Sequence, residues 1–178
     1  AASSCVPVMF EPLILKSLYP GIDVELVDGG VHDNQGIASI LEQAGLRTLL
    51  HTSPYLQVAT EKLQIGRRLI SVDDLSSLTD EVLAAADRFA TGEITYGEAW
   101  MALVFLAMER FRPDVAIVEV GAGGRYDVSN VVQPNVAVIT TVGTDHVESL
   151  GETLEEIAWH KSGIIKPGVA LVHSVAQP

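Results

Sequence analysis

Residues 114–142, DVAIVEVGAGGRYDVSNVVQPNVAVITTV, hold two β-branched runs separated by a glycine-rich turn and a loop. Asp114 to Val120 (DVAIVEV) and Asn135 to Val142 (NVAVITTV) are apolar at odd and even positions alike. Side chains alternate between faces along a strand, so such runs read as central parallel strands, buried on both faces. Working outward, Tyr96 to Arg110 is a strongly apolar helix, Glu152 to Lys161 a second helix, and Val169 to Val175 (VALVHSV) a last strand. Toward the amino terminus, Val72 to Ala90 is helical in pattern and acidic, and Gly92 to Thr95 breaks it. Arg47 to His51 (RTLLH) reads as a strand stopped at Ser53-Pro54. Before it, Gly36 to Ala44 (GIASILEQA) places Ile37, Ile40, Leu41 and Ala44 on one helix face, closed by Gly45. Asp23 to Val27 (DVELV) is a short strand ending in the turn Asp28-Gly29-Gly30. Residues 1–20 have no sustained periodicity. The alternation of strands and helices predicts an α/β fold, a mostly parallel sheet flanked by helices.

The 178 residues suffice for one ordinary domain and are short for two, with residues 20–175 the best supported. Hydrophobic residues at 48% against 19% charged give enough apolar surface for a core and argue against disorder. The net charge of −12 argues against nucleic-acid binding, which needs a basic surface to displace counterions from phosphates. The longest apolar run, Ala99 to Met108 (AWMALVFLAM), has the length of a buried helix segment rather than a membrane span. The start, AASSCVPVMF, lacks the basic, then long apolar, pattern of a signal peptide. One cysteine, Cys5, cannot form an intramolecular disulfide. A soluble, cytoplasmic protein is expected. The chain stops directly after its last strand, where an α/β sheet usually continues, so a truncated domain is expected too.

In open α/β sheets, ligands bind beyond the carboxyl ends of the parallel strands. DVAIVEV carries Glu119 and leads into Gly121-Ala122-Gly123-Gly124-Arg125-Tyr126-Asp127; NVAVITTV leads into Gly143-Thr144-Asp145-His146; RTLLH leads into Thr52-Ser53-Pro54-Tyr55. Three strand ends thus offer a hydroxyl, a carboxylate and an imidazole to one crevice. Oxygen ligands with one imidazole suit a magnesium ion that also touches substrate phosphates. Plainer roles compete. Glu119 and His146 fit as solvated or capping residues, the glycines as simple turn formers, and Lys161 as a surface cation pairing with a glutamate at helical spacing. As a ligand site, the glycines would let the backbone approach closely while Arg125 supplies positive charge.

The segment Thr95 to Gly168, with EVGAGGRYDVSN, DHVESLGETLEEIA and KSGIIKPG in that order, resembles the folylpolyglutamate and dihydrofolate synthases of the Mur ligase superfamily. His51 to Ile65 (HTSPYLQVATEKLQI) is similar to the same family's segment after the first helix, and the likeness runs from about Ile37 to Val172. The resemblance implies a Mur ligase central domain of the P-loop NTPase type, which binds ATP. A separate carboxyl-terminal glutamate-binding domain would be absent from this chain. Ser53, Glu119 and His146 match the family's magnesium ligands, and Lys161 matches a lysine carried as a carbamate, with Lys161 and His146 the catalytic pair. Thr95-Tyr96-Gly97-Glu98 and Arg125-Tyr126-Asp127 match segments that contact the pterin-bearing substrate. The implied partners are small molecules: ATP, a folate or dihydropteroate, and L-glutamate. ATP would phosphorylate the substrate's terminal carboxylate, and the glutamate amine would attack the acyl phosphate.

Two departures stand out. Counting back from IASILEQAG, the family's phosphate loop falls near Val27 to His32, which reads Val27-Asp28-Gly29-Gly30-Val31-His32. Gly29 and Gly30 are the nucleotide-binding candidates there, but no lysine follows them, and Asp28 puts negative charge near a triphosphate. Either ATP binding is weak or lost, or this region is replaced, rearranged or incompletely represented. The second departure is Gly97, where the family more often has an aromatic residue. Three readings result: a folate ligase; a catalytically inactive homologue that binds a folate or a partner; and a Mur-type ligase acting on a cell-wall or polyglutamate substrate. Retention of Ser53, Glu119, His146 and Lys161 together favours a ligase, and GAGGRYDVSN with TYGE favours folate.

Overall fold

The structure, a computed structural model, describes residues 13–19, 22–26, 33–89 and 92–173, with side chains described from 34 onward. The chain divides into two compact units, the first holding residues up to Ile94 with Ala102–Glu119, the second Thr95–Met101 with Val120 onward.

In the first unit, β1 (Leu13–Tyr19) and β2 (Ile22–Leu26) pair antiparallel. This corrects the expectation that 23–27 opens the parallel sheet. Helix α1 (Asp33–Gln43) ends at Gly45, whose φ of +84° is a left-handed stop that glycine adopts without strain. The Glu42 carboxylate then accepts from both the backbone N–H and the hydroxyl of Thr48, pinning the helix end to β3 (Thr48–His51).

The central sheet runs β5-β4-β3-β6, with β4 (Leu63–Ile65), β5 (Arg68–Leu69) and β6 (Val115–Val118). β3 and β6 are parallel, Leu49 opposite Ala116 and His51 opposite Val118. The expectation that 114–120 is a central strand buried on both faces fails among the described residues: β6 ends this sheet, none of its four residues is buried, and Ala116 is exposed. The β4–β5 ribbon is antiparallel and was not anticipated: its strands are three and two residues long, too short to show alternation. All four β3 residues are buried. Helix α2 (Val72–Phe89) starts at Ser71, whose hydroxyl accepts from the Asp74 N–H, and buries Leu78 and Val82 one turn apart. Helix α3 (Tyr96–Phe111) buries Leu103, Val104 and Ala107, and its Arg110 reaches Glu81 and Ser77 of α2. Arg47 donates to the Phe111 and Arg112 carbonyls, capping α3 where Arg112 turns left-handed.

In the second unit, β7 (Val136–Ile139) and β8 (Ala170–His173) pair in parallel, Val136 opposite Ala170. The expectation that 135–142 is buried on both faces fails for the described residues. Ala137 is buried while Val136 and Val138 are 50% and 44% exposed, because β8 is its one described neighbour. Between the strands lie α4 (Val147–Leu150) and α5 (Leu154–Ser162), which bury Leu150 and Ile157. Together these elements make an α/β fold with helices flanking sheet, and no helix among the described residues is long and apolar enough to cross a membrane.

Leu49→Ala, at a fully buried central position, is expected to lower stability by about 2–5 kcal/mol through the cavity it leaves. Leu69→Ala, on the exposed edge strand, should cost no more than about 0.5 kcal/mol, both changes being read from urea titration of the intact protein.

Candidate functional site

The register of β3 with β6 delivers two of the expected residues to one sheet edge. Beyond the paired His51 and Val118, the Glu119 N–H still donates to the His51 carbonyl at 3.1 Å, so Glu119 emerges beside Thr52 and Ser53. Its carboxylate accepts the Ser53 backbone N–H at 3.0 Å. Burial pushes the Glu119 carboxyl above the ordinary range, against the Ser53 N–H, the Asn34 side chain and the Lys62 charge, which all pull it down. The group is therefore a half-desolvated acid with few fixed partners, the condition that favours a further cation.

The loop carrying Ser53 is held from behind. Glu61, in the 3-10 turn Ala59–Lys62, accepts the backbone N–H groups of Leu56, Gln57 and Val58 at 2.8, 3.0 and 3.0 Å. Those donors, Leu56 foremost, hold its carboxyl below the ordinary range. Lys62 follows and is only 7% exposed. Its carbonyl accepts from the Thr52 N–H at 3.2 Å and lies 2.9 Å from His51 Nδ1. Burial lowers the Lys62 ammonium and Glu119 raises it. Asn34 and Lys62 are site residues that sequence reasoning passed over. Neither carries a signal in the sequence, where Lys62 precedes the short stretch Leu63-Gln64-Ile65.

The second unit carries the remaining candidates. His146 sits ahead of α4 with φ +51°, a left-handed conformation uncommon for a non-glycine residue and costing about 1–3 kcal/mol. Its ring is exposed, 3.8 Å from the Asp145 carboxylate. Lys161 lies in the last turn of α5, and among the described residues its ammonium has no hydrogen bond or ion pair. The competing surface-pair reading fails, because the residues three and four before it are Ala158 and Ile157.

The glycines of GAGGR make close approaches to protein. A Cβ at Gly124 would stand 2.8 Å from Ile164 and 3.1 Å from the His160 carbonyl, and one at Gly163 would stand 2.3 Å from the Arg125 side chain. That closeness lets the Arg125 N–H donate to the His160 carbonyl at 2.8 Å. The Arg125 guanidinium lies 3.9 Å over the Trp159 ring and donates to the Trp159 carbonyl. Tyr126, 76% exposed, packs obliquely against Trp159 and His160. Asp127 turns inward, accepting from the Ala122 N–H at 3.0 Å and the Ser129 N–H at 2.9 Å. Thr95 and Glu98 satisfy each other in a reciprocal cap on α3: the carboxylate accepts from the Thr95 N–H and hydroxyl, at 2.8 and 2.7 Å, and the Glu98 N–H donates back. Tyr96 stacks edge-on with Trp100. Tyr126 thus presents an accessible ring, whereas Arg125, Asp127, Thr95 and Glu98 are engaged in local structure. Gly29 and Gly30 lie outside the described residues.

Among the described residues no three His, Cys, Asp or Glu side chains converge on one point. Magnesium is commonly held by one or two carboxylates, with water and substrate phosphates completing the shell, whereas structural zinc requires four protein ligands. A half-buried carboxylate at the Ser53 turn fits the former ion.

Two outcomes are expected from these environments. Glu119, raised by burial, is protonated in the folded chain over a pH window where the unfolded chain is already ionised. Metal-free stability should therefore fall as pH rises from the ordinary glutamate value through the folded value, and Glu119→Gln should flatten that slope in thermal melts. Glu61, depressed by its N–H donors, contributes stability above the ordinary value that is lost as pH falls through its folded value. Glu61→Gln should speed amide exchange at Leu56–Val58 at neutral pH.

Comparison with known proteins bears on the same segments. Residues 47–172 match the Mur ligase middle domain. The dihydrofolate synthase/folylpolyglutamate synthase of Bacillus subtilis is 39% identical over 146 residues, 80% of this chain and 34% of that protein. The structure of Escherichia coli FolC in complex with ADP, without folate substrate, superposes with a TM-score of 0.79 at 27% identity, covering 85% of this chain and 36% of that one. A bifunctional folylpolyglutamate synthase/dihydrofolate synthase with Mn, AMPPNP and L-glutamate bound gives 0.72 at 32% identity, covering 78% and 34%. The chain spans about a third of the length of these relatives. Since the domain match runs from the residue before β3 into the third residue of β8, the chain belongs to the Mur ligase family through its middle domain.

Proposed function

We propose that residues 1–178 are the ATP-binding central domain of an ATP-dependent ligase that joins L-glutamate to a folate or to dihydropteroate. The observation carrying this reading is the Ser53–Glu119 pair at adjacent parallel strand ends, in a chain similar to folylpolyglutamate and dihydrofolate synthases. Ser53, Glu119 and His146 are assigned to magnesium, as the family resemblance implies. The strained backbone of His146 supports a functional rather than a packing role for that residue. When bound, the ion would offset charge on the transferring phosphoryl group. Gly29 and Gly30 are assigned to the nucleotide phosphates.

In the reaction, the substrate's terminal carboxylate attacks the γ-phosphorus of ATP, forming an acyl phosphate and releasing ADP. The glutamate amine then attacks the acyl carbon, the amide bond forms, and inorganic phosphate leaves with the C–O bond electrons. Arg125 and Tyr126 are assigned to binding the pterin-bearing substrate through a cation and an exposed ring. Asp127, Thr95 and Glu98 support that surface by fixing the loop and the α3 cap. The Lys161 amine is assigned to carbamate formation with carbon dioxide, with loss of a proton, which turns a cation into an anion able to assist a second metal ion.

The test uses the intact native protein. ATP-dependent phosphate release should require both a folate substrate and L-glutamate, and Glu119→Gln should reduce it by at least a hundredfold. Nucleotide-independent folate binding that Glu119→Gln leaves untouched, with no phosphate release by the native protein, would establish the inactive-homologue reading in its place.

A further inference from the structure

We propose that Lys62 is a built-in cation at the Glu119 site that keeps a divalent ion from settling there until nucleotide phosphates arrive. The inference rests on the assignment of Glu119 as a metal ligand and gives the same site an order of binding. Lys62 is 7% exposed, and its backbone is tied to β3 by the Thr52 N–H, which donates to its carbonyl at 3.2 Å, and by His51 Nδ1 at 2.9 Å from the same oxygen. The next residue, Leu63, is the register partner of His51 on one side of β3. On the other side, the Glu119 N–H donates to the His51 carbonyl at 3.1 Å. Lys62, just ahead of β4, and Glu119, just past β6, therefore stand on either side of the end of β3, where each charge bears on the other. The adjacent acid, Glu61, is turned away onto the Leu56–Val58 amides and does not compete for the ammonium.

Between groups that have lost part of their water, charge–charge forces exceed those in bulk solvent. A dication approaching Glu119 alone also meets the positive field of the Lys62 ammonium. A dication arriving with a triphosphate brings negative charge that offsets the repulsion, and phosphate oxygens complete its shell. The consequence is strong coupling between metal and nucleotide, because each makes the other's binding more favourable.

The experiment measures Mn2+ binding to the intact native protein by calorimetry and electron paramagnetic resonance, with and without AMPPNP. Lys62→Met should bind Mn2+ alone at least tenfold more tightly than the native protein, and AMPPNP should then add less to Mn2+ affinity than it does natively. Lys62→Arg, which keeps the charge, should behave as the native protein does. Lys62→Gln carries the same prediction and replaces the Met variant if thermal melts show that the latter does not fold. A purely structural lysine predicts the opposite sign. Folded Met or Gln variants that bind Mn2+ no tighter than the native protein would overturn the proposal, while weakened Mn2+–AMPPNP binding in Glu119→Gln would leave the metal-ligand assignment standing. If the Lys62→Met gain persists after Glu119→Gln is added, the ion sits elsewhere, and the assignment of Glu119 fails together with the proposal.

Discussion

The parallel pairing of β3 with β6 is the constraint on which the candidate site depends. Its register sets Leu50 against Ile117 and His51 against Val118, so the chain leaves both strands at one level of the sheet. Ser53 and Glu119, 66 positions apart in sequence, then meet through a single N–H to carboxylate hydrogen bond. A slip of one residue would turn every β6 side chain to the opposite face and carry Glu119 away from that donor. The burial of all four β3 residues makes such a slip costly, since it would also mismatch the apolar packing.

Four glutamates show how one side chain serves two purposes. Glu61, Glu98 and Glu156 each accept several local donors, Thr95 supplying them for Glu98 and Thr153 for Glu156, and all three carboxyls are held below the ordinary range. They close turns and begin helices. Glu119 is moved in the opposite direction, because burial outweighs its few partners. An acid kept short of partners at a strand end costs the fold something, and ligand sites are where proteins tolerate that cost.

The longer elements were legible because their patterns span several periods. The acidic helix read at 72–90 forms over Val72–Phe89, and the apolar helix read at 96–110 over Tyr96–Phe111. RTLLH and DVAIVEV are each legible as strands of a mostly parallel sheet, whereas their pairing with one another emerges only from the fold. The β4–β5 ribbon escaped notice because its two-residue turn, Gly66-Arg67, joins strands too short for any periodicity. Glu119 could be nominated from its place at a strand end. Lys62 and Asn34 could not, since a single lysine or asparagine acquires meaning only from what the fold sets beside it. The GAGGR glycines fit either turn formers or a ligand loop by sequence, and their tight contacts in the fold are with Leu150, the end of α5 and Ile164. Sequence spacing reveals that the backbone must come close to something, and it leaves the identity of that neighbour open.

The first unit is discontinuous: Thr95–Met101 belongs to the second unit, and the stretch ending at Glu119 returns to the first. During translation β3 therefore emerges well before its parallel partner, with roughly sixty residues between His51 and Val115. At ribosomal speeds of about 5–20 residues per second, that gap lasts roughly 3–13 s. Throughout it, one flank of the nascent strand TLLH has no β6 to pair with, an open backbone edge of the kind that chaperones shield and aggregates recruit.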